Sequence, residues 1–114
     1  MLTMQNIIVN GNDINNINAI IKQIKNLRKA MPDAFIEVVF TRNAVKSLLK
    51  DYPELNRIKE LLDMNIKINA CRNSLKEQNI DEDLIATDIG IGIVDAGVQE
   101  IVEKQLMGYA YLQL

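Results

Sequence analysis

"IIVNGNDINNINAIIKQIKNLRKAMPDAFIEVVFT" (residues 7–41) holds a complete strand–helix–strand unit, and its reading decides the fold. Ile7, Ile8 and Val9 form a short β-branched run that stops at Asn10-Gly11, as a buried strand ending in a turn does. Beyond a cap at Asn12 or Asp13, Ile14, Ile17, Ile21 and Ile24 recur at spacings of three and four, with Ile20 and Leu27 beside them. That spacing lines one face of a helix. Pro32-Asp33 breaks it, and Ala34 to Thr41 reads as a second strand because Phe, Ile, Val and Thr suit a pleated surface. A helix of this length between two strands is a crossover, so the strands pair in parallel.

The same alternation continues through the chain. A helix is expected from Asn43, with Val45, Leu48 and Leu49 apolar, up to a boundary at Tyr52-Pro53. Leu55, Ile58, Leu61 and Leu62 mark a further helix, and "IKINAC" (66–71) a third strand with Cys71 at its end. A short helix is expected over Ser74 to Gln78, a fourth strand over Ile89 to Val94, and a last helix capped by Asp95 and striped by Val98, Ile101, Val102 and Leu106. Gly108 ends that helix and "YAYLQL" (109–114) is the fifth strand. The expected architecture is α/β: a three-layer sandwich with a mostly parallel five-stranded sheet and helices on both faces, filling residues 1–114 as a single domain.

Composition narrows the function classes. An apolar share of 48% and a charged share of 25% are globular values. The net charge of -2 and the scarcity of aromatic residues argue against a nucleic-acid partner. No apolar run nears the roughly 20 residues of a membrane span. "MLTMQNIIVNGND" (1–13) lacks the pattern of a secretory leader, and a lone cysteine fits the cytoplasm. There is no histidine, which removes Ser-His and Cys-His nucleophile pairs and the commonest zinc sets. Asp81, Glu82 and Asp83 read as a capped turn, so neither metal nor cofactor is expected.

In an open parallel sheet, ligands bind at the carboxyl ends of the strands. Sequence order puts Asn10 to Asp13, with Asn10 and Gly11 at its start, Thr41 to Asn43, Cys71 to Ser74, and Asp95 to Gly97 on that edge. Cys71 therefore has two readings. At a helix N-terminus with Arg72 beside it, a thiol has reason to ionise and to attack or store a sulfane sulfur as a persulfide. It is equally a small hydrophobe of the kind proteins bury. Which holds turns on its exposure.

"ACRNSLKEQNI" (70–80) resembles the Ala-Cys-x-Asn-Thr-Leu segment of the DsrE/DsrF-like family of sulfur-relay proteins, which includes YchN-like and TusD-like members. "VDAGVQEIVEKQLMGYAYLQL" (94–114) is similar to that family's C-terminal pattern. The resemblance implies a persulfide on Cys71, a sulfur donor or acceptor protein, and a homo-oligomer of trimer or hexamer type. Asn73 and Ser74 match the polar pair after the cysteine, with Ser keeping the hydroxyl of the usual Thr. Many members carry a His-Gly-like turn after the second strand, where this chain has Thr41-Arg42-Asn43. Whether sulfurtransferase activity goes with the fold stays open. The alternatives are a non-catalytic anion- or nucleotide-binding or scaffold protein with a structural cysteine, or one subunit of a hetero-complex.

Other motifs are weaker. "GIGIVDAG" (90–97) has two glycines of a dinucleotide loop, but the third position is Asp95, which repels phosphate. Those glycines instead allow a helix or another subunit to come close, with Ile89, Ile91 and Ile93 as core. Lys22, Lys25, Arg28 and Lys29 read as a solvated basic face, and Tyr109 and Tyr111 as a subunit contact.

Overall fold

Every strand expected from the alternation forms. The computed structural model of the protein describes residues 5–114; the expected lack of a secretory leader rests partly on residues 1–4, which lie outside the described residues. In chain order the elements are β1 (Asn6–Gly11), α1 (Ile17–Ala30), β2 (Phe35–Phe40), α2 (Leu55–Asp63), β3 (Lys67–Cys71), α3 (Arg72–Glu77), β4 (Gly92–Val94), α4 (Gly97–Leu106) and β5 (Ala110–Gln113). The strands form one sheet in the order β4-β3-β2-β1-β5, and each neighbouring pair is parallel. The chain walks outward from β1 to β4 and then jumps back across the sheet to place β5 on the far side of β1. The β1/β5 junction is thus the topological switch point, where α/β sheets open a crevice.

Period-two alternation assigns the two faces. Ile7, Val9, Ile36, Val38, Phe40, Ile68 and Ala70 point to one side and share a single core with Ile17, Ile20, Ile21 and Ile24 of α1, Ile58 and Leu61 of α2, and Leu75 of α3. The opposite side carries Ile8, Asn10, Glu37, Val39, Asn69 and Cys71, all buried. α4 packs on that second face, over β1 and β2. Each central strand therefore presents an apolar row to the first layer and contributes a polar residue to the second.

Local chemistry explains where the elements depart from their expected bounds. Residues 42–48 form a 3-10 helix and not an α-helix. The buried residues there are Ala44, Val45, Ser47 and Leu48, two pairs spaced by three, whose members eclipse each other at three residues per turn. Strand β4 begins at Gly92 because Gly90, at φ +113°, closes a 3-10 turn over Thr87–Ile89 in the left-handed conformation. Gly92 does serve a close approach, but to Asn69: a Cβ there would stand 2.3 Å from Asn69 Oδ1. α3 starts two residues earlier than expected, at Arg72, and the residue before α4 is Ala96, so Asp95 is not its cap. Asp13 does cap, accepting from the Asn15 N–H at 3.0 Å ahead of α1.

The basic face of α1 is solvated only in part. Lys22 and Lys29 are exposed, but Arg28 is buried. Its guanidinium donates to the carbonyls of Met31, Pro32 and Ala34 behind α1 and of Met64 and Asn65 behind α2. The shortest of these bonds, to Ala34, is 2.7 Å. One side chain thus satisfies the orphan carbonyls of two helix exits, a task that needs the five donors of arginine. Arg28→Met leaves those carbonyls without a donor and is expected to cost about 3 kcal/mol. Arg28→Lys should recover less than half of it. Denaturant midpoints at unchanged slope provide the measurement.

Candidate functional site

Cys71 ends β3 and directly precedes α3, so its side chain sits at the carboxyl edge of the sheet, on the face that α4 covers. It is 5% exposed. The sulfur is engaged by backbone: the Gly97 N–H, the first of α4, donates to Sγ at 3.2 Å. The helix whose N-terminus meets the sulfur is therefore the ten-residue α4, while Cys71 makes no side-chain cap bond to α3. A free N–H at a helix start is a place where negative charge on a ligand atom is favoured.

This contact requires a glycine. A Cβ on residue 97 would lie 2.6 Å from Thr41 Cγ2, 3.3 Å from Val39 Cγ1 and 3.4 Å from Cys71 Cβ. The ends of β2 and β3 thus meet the start of α4 with no room for a methyl group.

Around the thiol is a cleft of about 530 Å³ at the switch point of the sheet. Asn10, Thr41, Arg42, Cys71, Asn73 and Ser74 line its polar side, and Gly97 opens its helical wall. Val98, Ile101 and Val102 of α4 supply the apolar side, and Tyr111 and Gln113 of β5 close it. These last five residues were not singled out as site residues from sequence. The strand order that brings β5 beside β1 has no signature in the chain, although the apolar stripe did mark the helix α4.

Hydrogen bonds lock the polar side. Asn10 Nδ2 donates to Val39 O and to Thr41 Oγ1, both at 3.0 Å, and so ties β1 to the end of β2. Ser74 Oγ accepts from the Arg42 N–H at 2.8 Å. Arg42 has φ +52°, a left-handed conformation that glycine adopts freely and arginine does not. The loop after β2 thus keeps the backbone shape of a glycine turn while adding an exposed guanidinium at the cleft mouth, and the Ser74 hydroxyl is its anchor.

Four expected site residues stand elsewhere. Arg72 pairs with Glu82, Nε to Oε2 at 2.6 Å, and with Asp95, so its charge is spent on two carboxylates. The hydrogen bond from Arg72 in turn holds Glu82 below the usual glutamate pKa. Asp95 is exposed in that ion pair, outside the cleft. Gly11 is buried, with room for a Cβ only at 3.1 Å from the Phe40 ring. Asn43 Oδ1 accepts from the Ile14 N–H at 2.9 Å and joins the loops after β1 and β2. Tyr109 packs edge-on to Phe35, ring centroids 6.0 Å apart. Among the described residues no cluster of acidic or cysteine side chains has the form of a metal site, and no helix is long and apolar enough to cross a membrane.

Gly97→Ala is expected to push α4 off Thr41, at a cost of about 1–3 kcal/mol of stability, and to expose Cys71 to alkylation. Thr41→Ser in the same chain removes the clashing Cγ2 while keeping the hydroxyl that Asn10 binds. Recovery of most of the loss in that double variant, by thermal melt and alkylation rate, checks the geometry.

No curated protein matches the chain. Among solved structures, MTH1491, a protein of unknown function from Methanobacterium thermoautotrophicum, is 26% identical with a TM-score of 0.87, over 96% of this chain and 99% of that one. BT1422, a protein of unknown function from Bacteroides thetaiotaomicron, shares 18% identity at a TM-score of 0.76, over 96% of this chain and 95% of that one. The YchN protein of E. coli shares 17% at 0.74, over 98% of this chain and all of that one, 100%; these two show the fold alone. The model of the DsrE/DsrF-like family matches residues 6–114, and the chain belongs to that family.

Proposed function

We propose that the protein is a small sulfur carrier of the cytoplasm that holds a persulfide on Cys71. The observation that carries this reading is the Gly97 N–H on Cys71 Sγ at the base of the cleft. The chemistry needs little else. The Cys71 thiolate attacks the terminal sulfur of a donor persulfide, the donor S–S bond breaks, a new one forms on Sγ, and the donor leaves as a thiolate. The Gly97 N–H and the start of α4 steady the charge on sulfur, the cleft holds the added atom, and Arg42 at its mouth draws an anionic donor. Asn73 lines the rim and Ser74 fixes the Arg42 turn. Membership of a sulfur-relay family supports the reading. Incubation with a sulfurtransferase and a sulfane donor should add one sulfur to the intact protein by mass and none to Cys71→Ser. An unmodified Cys71 under those conditions overturns it.

The low exposure of Cys71 favours a second reading, in which the cleft binds a small anion and the cysteine is structural. Cys71→Ser then keeps full anion binding.

The carrier works as a homo-oligomer through α4. Val98, Val102 and Leu106 follow one another at one-turn spacing and are 75%, 54% and 82% exposed, with Met107 beside them at 66%. A stripe of that kind marks an interaction surface. Leu106→Glu lies outside the cleft and should convert the assembly to monomers by native mass, with an unchanged circular dichroism spectrum.

A further inference from the structure

Glu37 occupies a position where a central parallel strand ordinarily buries an aliphatic side chain. It has no exposed surface. Oε2 accepts from Asn69 Nδ2 at 3.1 Å, whereas Oε1, also buried, has no hydrogen-bond partner among the described residues. α4 covers it with two charged residues one turn apart, Glu100 and Lys104, which pair at 3.6 Å. Lys104 Nζ stands 3.9 Å from Glu37 Oε1, beyond hydrogen-bond reach. From β3, Lys67 adds positive charge; β1 offers only Ile8, the register neighbour of Glu37.

Lys104 Nζ stands between the two carboxylates, 3.9 Å from Glu37 and 3.6 Å from Glu100, and two ionised carboxylates have nothing to donate to each other. A proton between them gives Oε1 its missing partner. Burial, then the hydrogen bond and charge of Glu100, raise the Glu37 pKa to about 7, while the hydrogen bond from Glu37 lowers that of Glu100. Glu37 keeps the proton and Glu100 the charge.

We propose that this shared proton is a latch seating α4 on the sheet and so holding the Gly97 N–H on Cys71 Sγ, which makes Glu37 a positioning residue whose deprotonation uncovers the thiol. Gly97, Glu100 and Lys104 lie on one face of α4, so the helix carries a change under Glu100 to its N-terminus. Loss of the proton sets a buried negative charge beside that of half-buried Glu100, with Lys104 and the exposed Lys67 to offset the pair, and α4 lifts to hydrate it. An unfolded glutamate releases its proton near 4.5 and native Glu37 only near 7. Within that window the folded chain binds the extra proton, so the stabilisation is present in full at its acid end and is lost as pH rises through about 7.

The inference takes Cys71 as the working residue of the proposed function, but amide exchange on α4 reads the latch with no sulfur loaded, so the two can fail separately. In the full-length protein, α4 protection relative to β2, corrected for intrinsic exchange, should fall about tenfold between about pH 6 and about pH 8, the factor carried by one unit of proton linkage. Glu37→Gln supplies a permanent N–H to Glu100, and Glu100→Gln supplies one to Glu37; either variant should abolish that fall. The ratio of wild-type to variant Cys71 alkylation rates should be near one at about pH 6 and about tenfold higher at about pH 8. Wild-type protection that does not change with pH, or variants that keep the wild-type fall, overturns the latch. If Glu37→Gln does not fold, Glu100→Gln, on the half-buried side of the pair, decides alone.

Discussion

The approach of α4 to the ends of β2 and β3 is the constraint on which the site depends. At Gly97 a helix start, a strand end and the only thiol of the chain lie within van der Waals reach. Had that position carried any side chain, the helix would stand farther from the sheet, and Sγ would lose its single backbone partner. The cleft owes its shape to the same contact, because α4 forms one wall and β5, which follows it, closes another. Fold and site are therefore not separable near residue 97.

The two layers of helix are held by different physics. Below the sheet, aliphatic rows from the strands meet the isoleucine face of α1, and burial alone specifies the packing. Above it, Asn10, Glu37 and Asn69 stand buried in three adjacent strands, and each must be answered by a partner of matching chemistry. Asn10 finds the Val39 carbonyl and the Thr41 hydroxyl, Asn69 finds Glu37, and Gly92 exists to make room for Asn69. Apolar packing tolerates small shifts, whereas a polar layer loses hydrogen bonds with each one. Placing the thiol in the polar layer ties its environment to geometry and to proton occupancy.

The strands, the α1 face and the parallel pairing were legible in the sequence because they follow from period and crossover length. Cys71, Asn10, Thr41, Arg42 and Gly97 were legible as edge residues for the same reason. What the sequence did not disclose depends on three-dimensional neighbours. Arg72 stands beside the thiol in the chain yet is held by Glu82 and Asp95, carboxylates ten and twenty-three residues away. Arg28 has the spacing of a surface lysine row, and only the exits of two helices reveal why it is buried. Glu37 sits in a run of β-formers, where one charged letter gives no sign of facing Glu100. The stripe of Val98, Val102 and Leu106 was read correctly as a helical face, but no period says which side of a helix meets the sheet.

Strand β5 gives the cleft a place in the order of folding. Gln113 Nε2 reaches the carbonyl of Asn10 at 3.4 Å across 103 residues of sequence, and β5 has only β1 as a neighbour. Pairings of such span form late, after the local strand–helix units have collapsed. A four-residue edge strand is also among the first elements to open in native fluctuations. Tyr111 and Gln113 thus sit on the element of the cleft with the least support, while Cys71 ends a strand paired on both sides.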